Sequence, residues 1–150
     1  MVFNLKKFHD IRVDNDLSQK EMSKLLQISE DVYSNYENGR TIMPTEIAVR
    51  FANYFKLSLD YLLNITDNKR LNCNKNFNAN ETARKLLQIR KREKMSQEQI
   101  AEVLNIPQRT YSSYEHNDRA IPLEFLFNIT LKFGISLDYL TGRDEKSKIN

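Results

Sequence analysis

The sequence contains itself twice: Leu17–Gly39 recurs as Met95–Asn117, seventy-eight residues further on. A repeat of this length constrains the fold more than any local pattern, because both copies must form the same supersecondary unit. Each copy reads as two short helices joined by a tight turn. Ser18 with Glu21, and Ser96 with Gln99, fit a capping box, in which a hydroxyl and a side-chain acceptor three residues on satisfy the free amides of a helix start.

From those serines, apolar residues at Met22, Leu25 and Leu26, matched by Ile100, Val103 and Leu104, give the three-to-four spacing of one buried helical face. Ile28 and Ile106 plug the turn. A further helix follows, expected to turn Val32, Tyr33 and Tyr36, or Thr110, Tyr111 and Tyr114, inward. Gly39 closes it as a left-handed cap, and Asn117, the next-best residue for that conformation, does so in the second copy. Two short helices crossing through a tight turn form a helix-turn-helix motif, whose second helix enters the major groove of DNA.

The rest of each copy follows one plan. Phe3–Asp14 reads as a first helix with Leu5, Phe8 and Ile11 on its apolar face, and a counterpart runs from about Glu81 to Lys94. Pro44 and Pro122 open a fourth helix, a place where proline is tolerated. Ser58 and Ser136 cap a last short one, within the matching pentapeptides Ser58–Leu62 and Ser136–Leu140. The stretch Asn64–Ala79 is polar, lacks periodicity and reads as a linker. Arg143–Asn150 reads as a charged, disordered tail.

Each copy has roughly 60 residues, near the lower limit for one hydrophobic core. No apolar run approaches the roughly 20 residues of a membrane span, and no signal pattern opens the chain, so a cytoplasmic protein without membrane attachment is expected. The single cysteine, Cys73, permits no internal disulfide and no zinc set, and it reads as an idle linker thiol. The net charge of +3 is too small to identify a partner. Its distribution says more, since Arg84, Lys85, Arg90, Lys91, Arg92 and Lys94 crowd one helix of the second copy.

Both copies resemble the lambda-repressor/Cro-type helix-turn-helix family, also called the XRE family. The marks are Leu17-Ser18-Gln19 and Met95-Ser96-Gln97, the pairs Tyr36-Glu37 and Tyr114-Glu115, the prolines at 44 and 122, and the Ser-Leu-Asp-Tyr-Leu endings. The resemblance implies an all-α chain of two tandem five-helix domains, 1–64 and 80–142, joined by a polar linker over 65–79 and followed by a charged tail over 143–150. It also implies a sequence-specific transcriptional regulator of bacterial, phage or plasmid type, with double-stranded DNA as its partner and a homodimer as the usual assembly.

By the same resemblance Gln19 and Gln97 hold a phosphate and brace the third helix, while Asn38, His116, Arg40 and Arg119 meet phosphates or the minor groove, with histidine at 116 departing from the usual residue. The base-reading positions carry Ser29, Glu30, Asp31, Ser34 and Asn35 in the first copy. In the second they carry Pro107, Gln108, Arg109, Ser112 and Ser113. Gln and Arg offer bidentate bonds to adenine and guanine, whereas Glu30 and Asp31 can only accept from cytosine while facing a polyanion. Arg12 with Glu37, and Arg90 with Glu115, sit where the family places an ion pair between the first and third helices, and this reading is set against direct DNA contact.

The tyrosines at 33, 36, 111 and 114 are read as core rather than as stacking platforms for single-stranded nucleic acid. His9 and His116 have no ligand spacing around them, so neither a metal nor a cofactor is expected, and no catalytic constellation is legible. The competing reading is a protein-interaction module, such as an antitoxin, anti-repressor or adaptor, in which the acidic first copy has given up DNA. For the leading reading, a coil-like linker lets one chain span two half-sites.

Overall fold

The computed structural model describes residues 1–149; Asn150, the end of the expected tail, lies outside them. Among the described residues there are ten helices and no strand. The first copy holds α1 (Lys6–Asp14), α2 (Gln19–Leu25), α3 (Glu30–Glu37), α4 (Thr45–Phe55) and α5 (Leu59–Leu62). The second holds α6 (Ala79–Arg92), α7 (Gln97–Val103), α8 (Gln108–Glu115), α9 (Leu123–Phe133) and α10 (Leu137–Leu140).

Local chemistry sets these boundaries. Ser18 and Ser96 close complete capping boxes on α2 and α7, their hydroxyls accepting from the amides of Glu21 and Gln99 at 3.0 and 3.1 Å. Beyond α3 and α8 the chain turns through left-handed residues, Gly39 at φ 72° and Asn117 at φ 57°. Asn78 caps α6 by accepting from the Glu81 amide at 3.2 Å. Phe8, Met22, Leu26, Tyr33 and Phe51 fill the first core, and Leu86, Ile100, Leu104, Tyr111 and Leu126 the second.

Three apolar residues expected inside are exposed: Leu25, Val103 and Val32. On α2 the buried sector runs through Met22, Leu26 and Ser23, and at 100° per residue Leu25 falls outside it. Phe3 precedes α1 instead of opening it, and its ring packs edge-on against Phe127 of α9, with centroids 5.4 Å apart.

The stretch read as a linker lies along the first copy. Leu57 and Arg70 form a bridge, the Asn53 amide nitrogen donates to the Lys75 carbonyl at 2.9 Å, and Cys73 is buried. The stretch read as a disordered tail repeats that arrangement at the same seventy-eight-residue offset: Ile135 bridges Lys148, and the Ser136 amide donates to the Ser147 carbonyl at 2.8 Å. Both segments read as unattached because backbone contacts leave no mark on hydropathy.

The two copies face one another across reciprocal contacts. The Thr45 amide donates to the Ile121 carbonyl at 3.1 Å, and the Leu123 amide returns the bond to Met43 at 3.0 Å. At the short helices, Ser58 Oγ and the Leu59 amide donate to Asp138 at 2.6 and 2.9 Å, while Ser136 Oγ and the Leu137 amide donate to Asp60 at 2.6 and 2.8 Å. Each serine thus caps its own helix, and each aspartate closes the start of the other copy's helix. Contacts that swap in this way define an isologous interface about a two-fold axis, here within one chain. A single hydrophobic cluster runs through both halves.

Candidate nucleic-acid interface

The third helix of each copy is held by a polar brace. Arg12 donates from Nε and Nη2 to both oxygens of Glu37, at 2.9 and 2.8 Å, and from Nη1 to the Leu17 carbonyl at 2.7 Å. Arg90 does the same to Glu115, at 2.9 and 2.9 Å, and to Met95. Gln19 and Gln97 add a donor at 3.3 Å to Glu37 and Glu115. Burial opposes ionisation of these glutamates, yet the hydrogen bonds from arginine and glutamine, with that of Tyr33 added at Glu37, hold both carboxyls below their ordinary range. The brace fixes α3 against α1 and α8 against α6, so the outer face of each helix has a set direction.

Tyr33 and Tyr111 are fully buried, and their hydroxyls donate to Glu37 Oε2 at 2.5 Å and to the Leu86 carbonyl at 3.4 Å. Burial, followed by the adjacent glutamate, pushes both phenols up. Tyr114 is buried, and Tyr36 packs partly exposed against the core.

On the outer side of α8 a shallow groove is lined by Gln97, Gln108, Arg109, Ser112, Ser113 and Asp118. Gln108 and Arg109 are exposed and have no side-chain polar partner among the described residues. Other candidates are engaged locally. Ser113 Oγ donates to the Thr110 carbonyl at 2.6 Å, and His116 Nδ1 lies 2.8 Å from the Ser112 carbonyl oxygen. Pro107 stands at the N-cap of α8, and Arg119 is exposed beyond its C-terminal end.

In the first copy Ser29 caps α3, its hydroxyl accepting from Val32 at 3.3 Å. Glu30 and Asp31 are exposed on the first turn, with Ser34 and Asn35 partly exposed behind them. Asn38 donates back to Ser34 Oγ at 3.2 Å, and Arg40 is exposed after the helix. The matching places therefore carry different chemistry, acidic on α3 and cationic on α8.

A family profile described as Helix-turn-helix matches residues 9–62 and again 86–140. The chain belongs to the helix-turn-helix family. Both copies are of the lambda-repressor/Cro (XRE) type. Among similar proteins, an uncharacterized HTH-type transcriptional regulator, YobD of Bacillus subtilis, is 34% identical over 58 residues, 39% of this chain and 52% of the relative. The HTH-type transcriptional regulator ImmR of the same organism is 34% identical over 67 residues, 45% of this chain and 53% of the relative. The chain thus spans about half the length of these curated relatives. No solved structure matches it.

In this helix-turn-helix pair the basic helix is less available than its composition suggests. Arg90 is bound to Glu115, and Lys85 donates to the Tyr139 carbonyl at 2.5 Å while sitting over the Tyr139 ring. Lys7 repeats that contact with Tyr61. Arg84, Lys91 and Lys94 remain exposed. Asp118 brings a carboxylate into the α8 groove, opposite in sign to Arg40 at the matching place. No helix among the described residues is long and apolar enough to cross a membrane, and none of their His, Cys, Asp and Glu side chains form a metal-holding group of three.

Sequence reading missed the carboxylates Asp60 and Asp138. Their only signal was an acid kept at the same place in both pentapeptides, inside otherwise apolar endings.

Proposed function

We propose that this chain is a sequence-specific DNA-binding transcriptional regulator that reads the major groove mainly with α8 of its second domain. The observation that carries this reading is the pair Gln108 and Arg109, exposed and without side-chain polar partners among the described residues, on the first turn of a helix whose inner face is fixed by the Arg90–Glu115 brace. An exposed Arg–Gln pair on such a helix offers bidentate donors to guanine and adenine edges. Gln97, His116 and Arg119 flank it as phosphate contacts, which position a reader without specifying sequence. The first domain contributes less, because Glu30 and Asp31 meet the phosphates with like charge.

Selection of bound duplexes from a random library, followed by isotherms at one salt concentration, tests the assignment. Arg109→Ala is expected to cost about 1–3 kcal/mol and relax one base position. Glu30→Ala with Asp31→Ala is expected to leave affinity unchanged or raise it. Loss of binding in the double variant with a silent Arg109→Ala reverses the assignment of the dominant domain. No binding to any duplex at low salt, where phosphate contacts are strongest, removes the DNA reading and leaves a protein-interaction module.

A further inference from the structure

The interface between the two domains is built to join unlike halves. Arg143, buried, donates to Asn53 Oδ1 and to the Leu57 carbonyl of the first domain, both at 2.9 Å, and pairs with Asp138 of its own. The place matching Arg143 in the first domain is Ile65, and the place matching Asn53 in the second is Leu131. Two second domains pairing in the same way would set each buried arginine against leucine in place of the amide acceptor. Two first domains would bring the Asp60 carboxylates together with no arginine. Thr45 adds a third asymmetry, its hydroxyl donating to the Ile121 carbonyl at 2.7 Å where the matching Leu123 has none. A buried polar group without its partner costs about 1–3 kcal/mol, and more when charged, so these differences favour the pairing within one chain.

The same axis relates α3 to α8. Pro44 follows the end of α3 at Glu37 by seven positions, and Pro122 follows the end of α8 at Glu115 by seven, and these two prolines face each other across the axis. Each end therefore lies within about 25 Å of it. Glu124, at the start of α9, lines the same cavity as Asn38–Met43, which brings the turn after α3 against the other domain. Two readers related by a two-fold axis, with ends so bounded, are compatible with half-sites about 34 Å apart.

We infer that a single chain occupies one DNA site, setting α3 and α8 on two unlike half-sites in inverted orientation at one fixed spacing. This rests on the DNA-binding reading above. The contacts that would hold a second copy are already made within the chain, and the two half-sites differ because Glu30 and Asp31 stand where Gln108 and Arg109 stand.

The test uses the full chain on duplexes selected from a random library. Native mass spectrometry is expected to give one chain per duplex, and the selected sites an inverted pair of differing halves. Inserting five base pairs between the halves turns one by about half a helical turn and is expected to lower affinity by about 100-fold, as lost bivalency does. Arg109→Ala, an exposed change that spares the core, is expected to relax a position in one half only. Two chains on a perfect palindrome, direct repeats, tolerance of the insertion, or relaxation in both halves overturns the inference while leaving DNA binding intact. Absence of binding to every duplex at low salt overturns both.

Discussion

The guanidinium of Arg90 donates to both oxygens of Glu115 and to the Met95 carbonyl, which makes it part of the scaffold although it lies among the cations of a basic helix. Arg90→Met is expected to destabilise the fold by about 3 kcal/mol, because removing one partner leaves a buried carboxylate uncompensated. Arg119→Ala, at an exposed position, is expected to leave stability alone and to reduce the salt slope of DNA binding by about one unit. Chemical denaturation and salt titration of both variants separate the roles; a stable Arg90→Met with a reduced salt slope would place Arg90 on DNA. The brace also sets an acid limit. The carboxyls of Glu37 and Glu115 are held below their ordinary value of 4.5, so the unfolded chain binds protons that the folded one does not. The stability they contribute is complete above about pH 5 and lost as pH falls through the folded values.

Among the elements, α5 and α10 are too short to stand alone, and each is started by the other copy's aspartate. Burial first, then the neighbouring Asp138 carboxylate, pushes Asp60 from 3.8 up to about 6. The folded state therefore holds this proton more tightly than the unfolded state. Its contribution is complete below about pH 4 and is lost as pH rises through about 6, the reverse of the glutamates. Melting temperatures of the wild type and Asp60→Asn between pH 5 and 7.5 should diverge: the variant loses the fall that Asp60 ionisation causes, since the amide oxygen still accepts from the Leu137 amide. Parallel profiles would remove Asp60 as the titrating group. Asp138→Asn is expected to cost about 3 kcal/mol at neutral pH, because Arg143 stays buried without its counter-ion. The elements themselves were largely legible, because capping serines, the left-handed Gly39 and the fourth-helix prolines act within a few residues of their own place. What joins them was not. Asp60 meets Ser136 across seventy-six residues, and neither periodicity nor propensity carries a signal over that distance. The matched pentapeptides disclosed two similar endings without disclosing that they touch. The third helix of each copy was identifiable by position, while the local engagement of Ser113, His116 and Asn38 depends on side-chain directions that spacing leaves open.

At the scale of the whole molecule, the packed linker, the Phe3–Phe127 contact and the shared hydrophobic cluster join two halves that are each close to the smallest self-sufficient domain. A chain of about 60 residues buries only about 60% of its unfolded surface, and one of 150 nearly 70%, so each half gains from the presence of the other. The expected consequence is one unfolding transition. Near 60 °C an unfolding enthalpy of about 0.7 kcal/mol per residue gives about 100 kcal/mol for the whole chain and about 50 for either half, and in a two-state process the van't Hoff and calorimetric values coincide. Scanning calorimetry should therefore return about 100 kcal/mol by both measures. A van't Hoff value near 50, with a second transition, would mean that the halves melt separately. Phe127→Ala in α9 sharpens the test, since truncating a buried phenylalanine costs about 3–5 kcal/mol. If the cooperative unit spans the axis, this change should lower hydrogen-exchange protection in α1, α2 and α3 as much as in α6, α7 and α8. Protection lost only in the second half would show that the reciprocal bonds at Pro44, Asp60 and Asp138 orient two independent folding units.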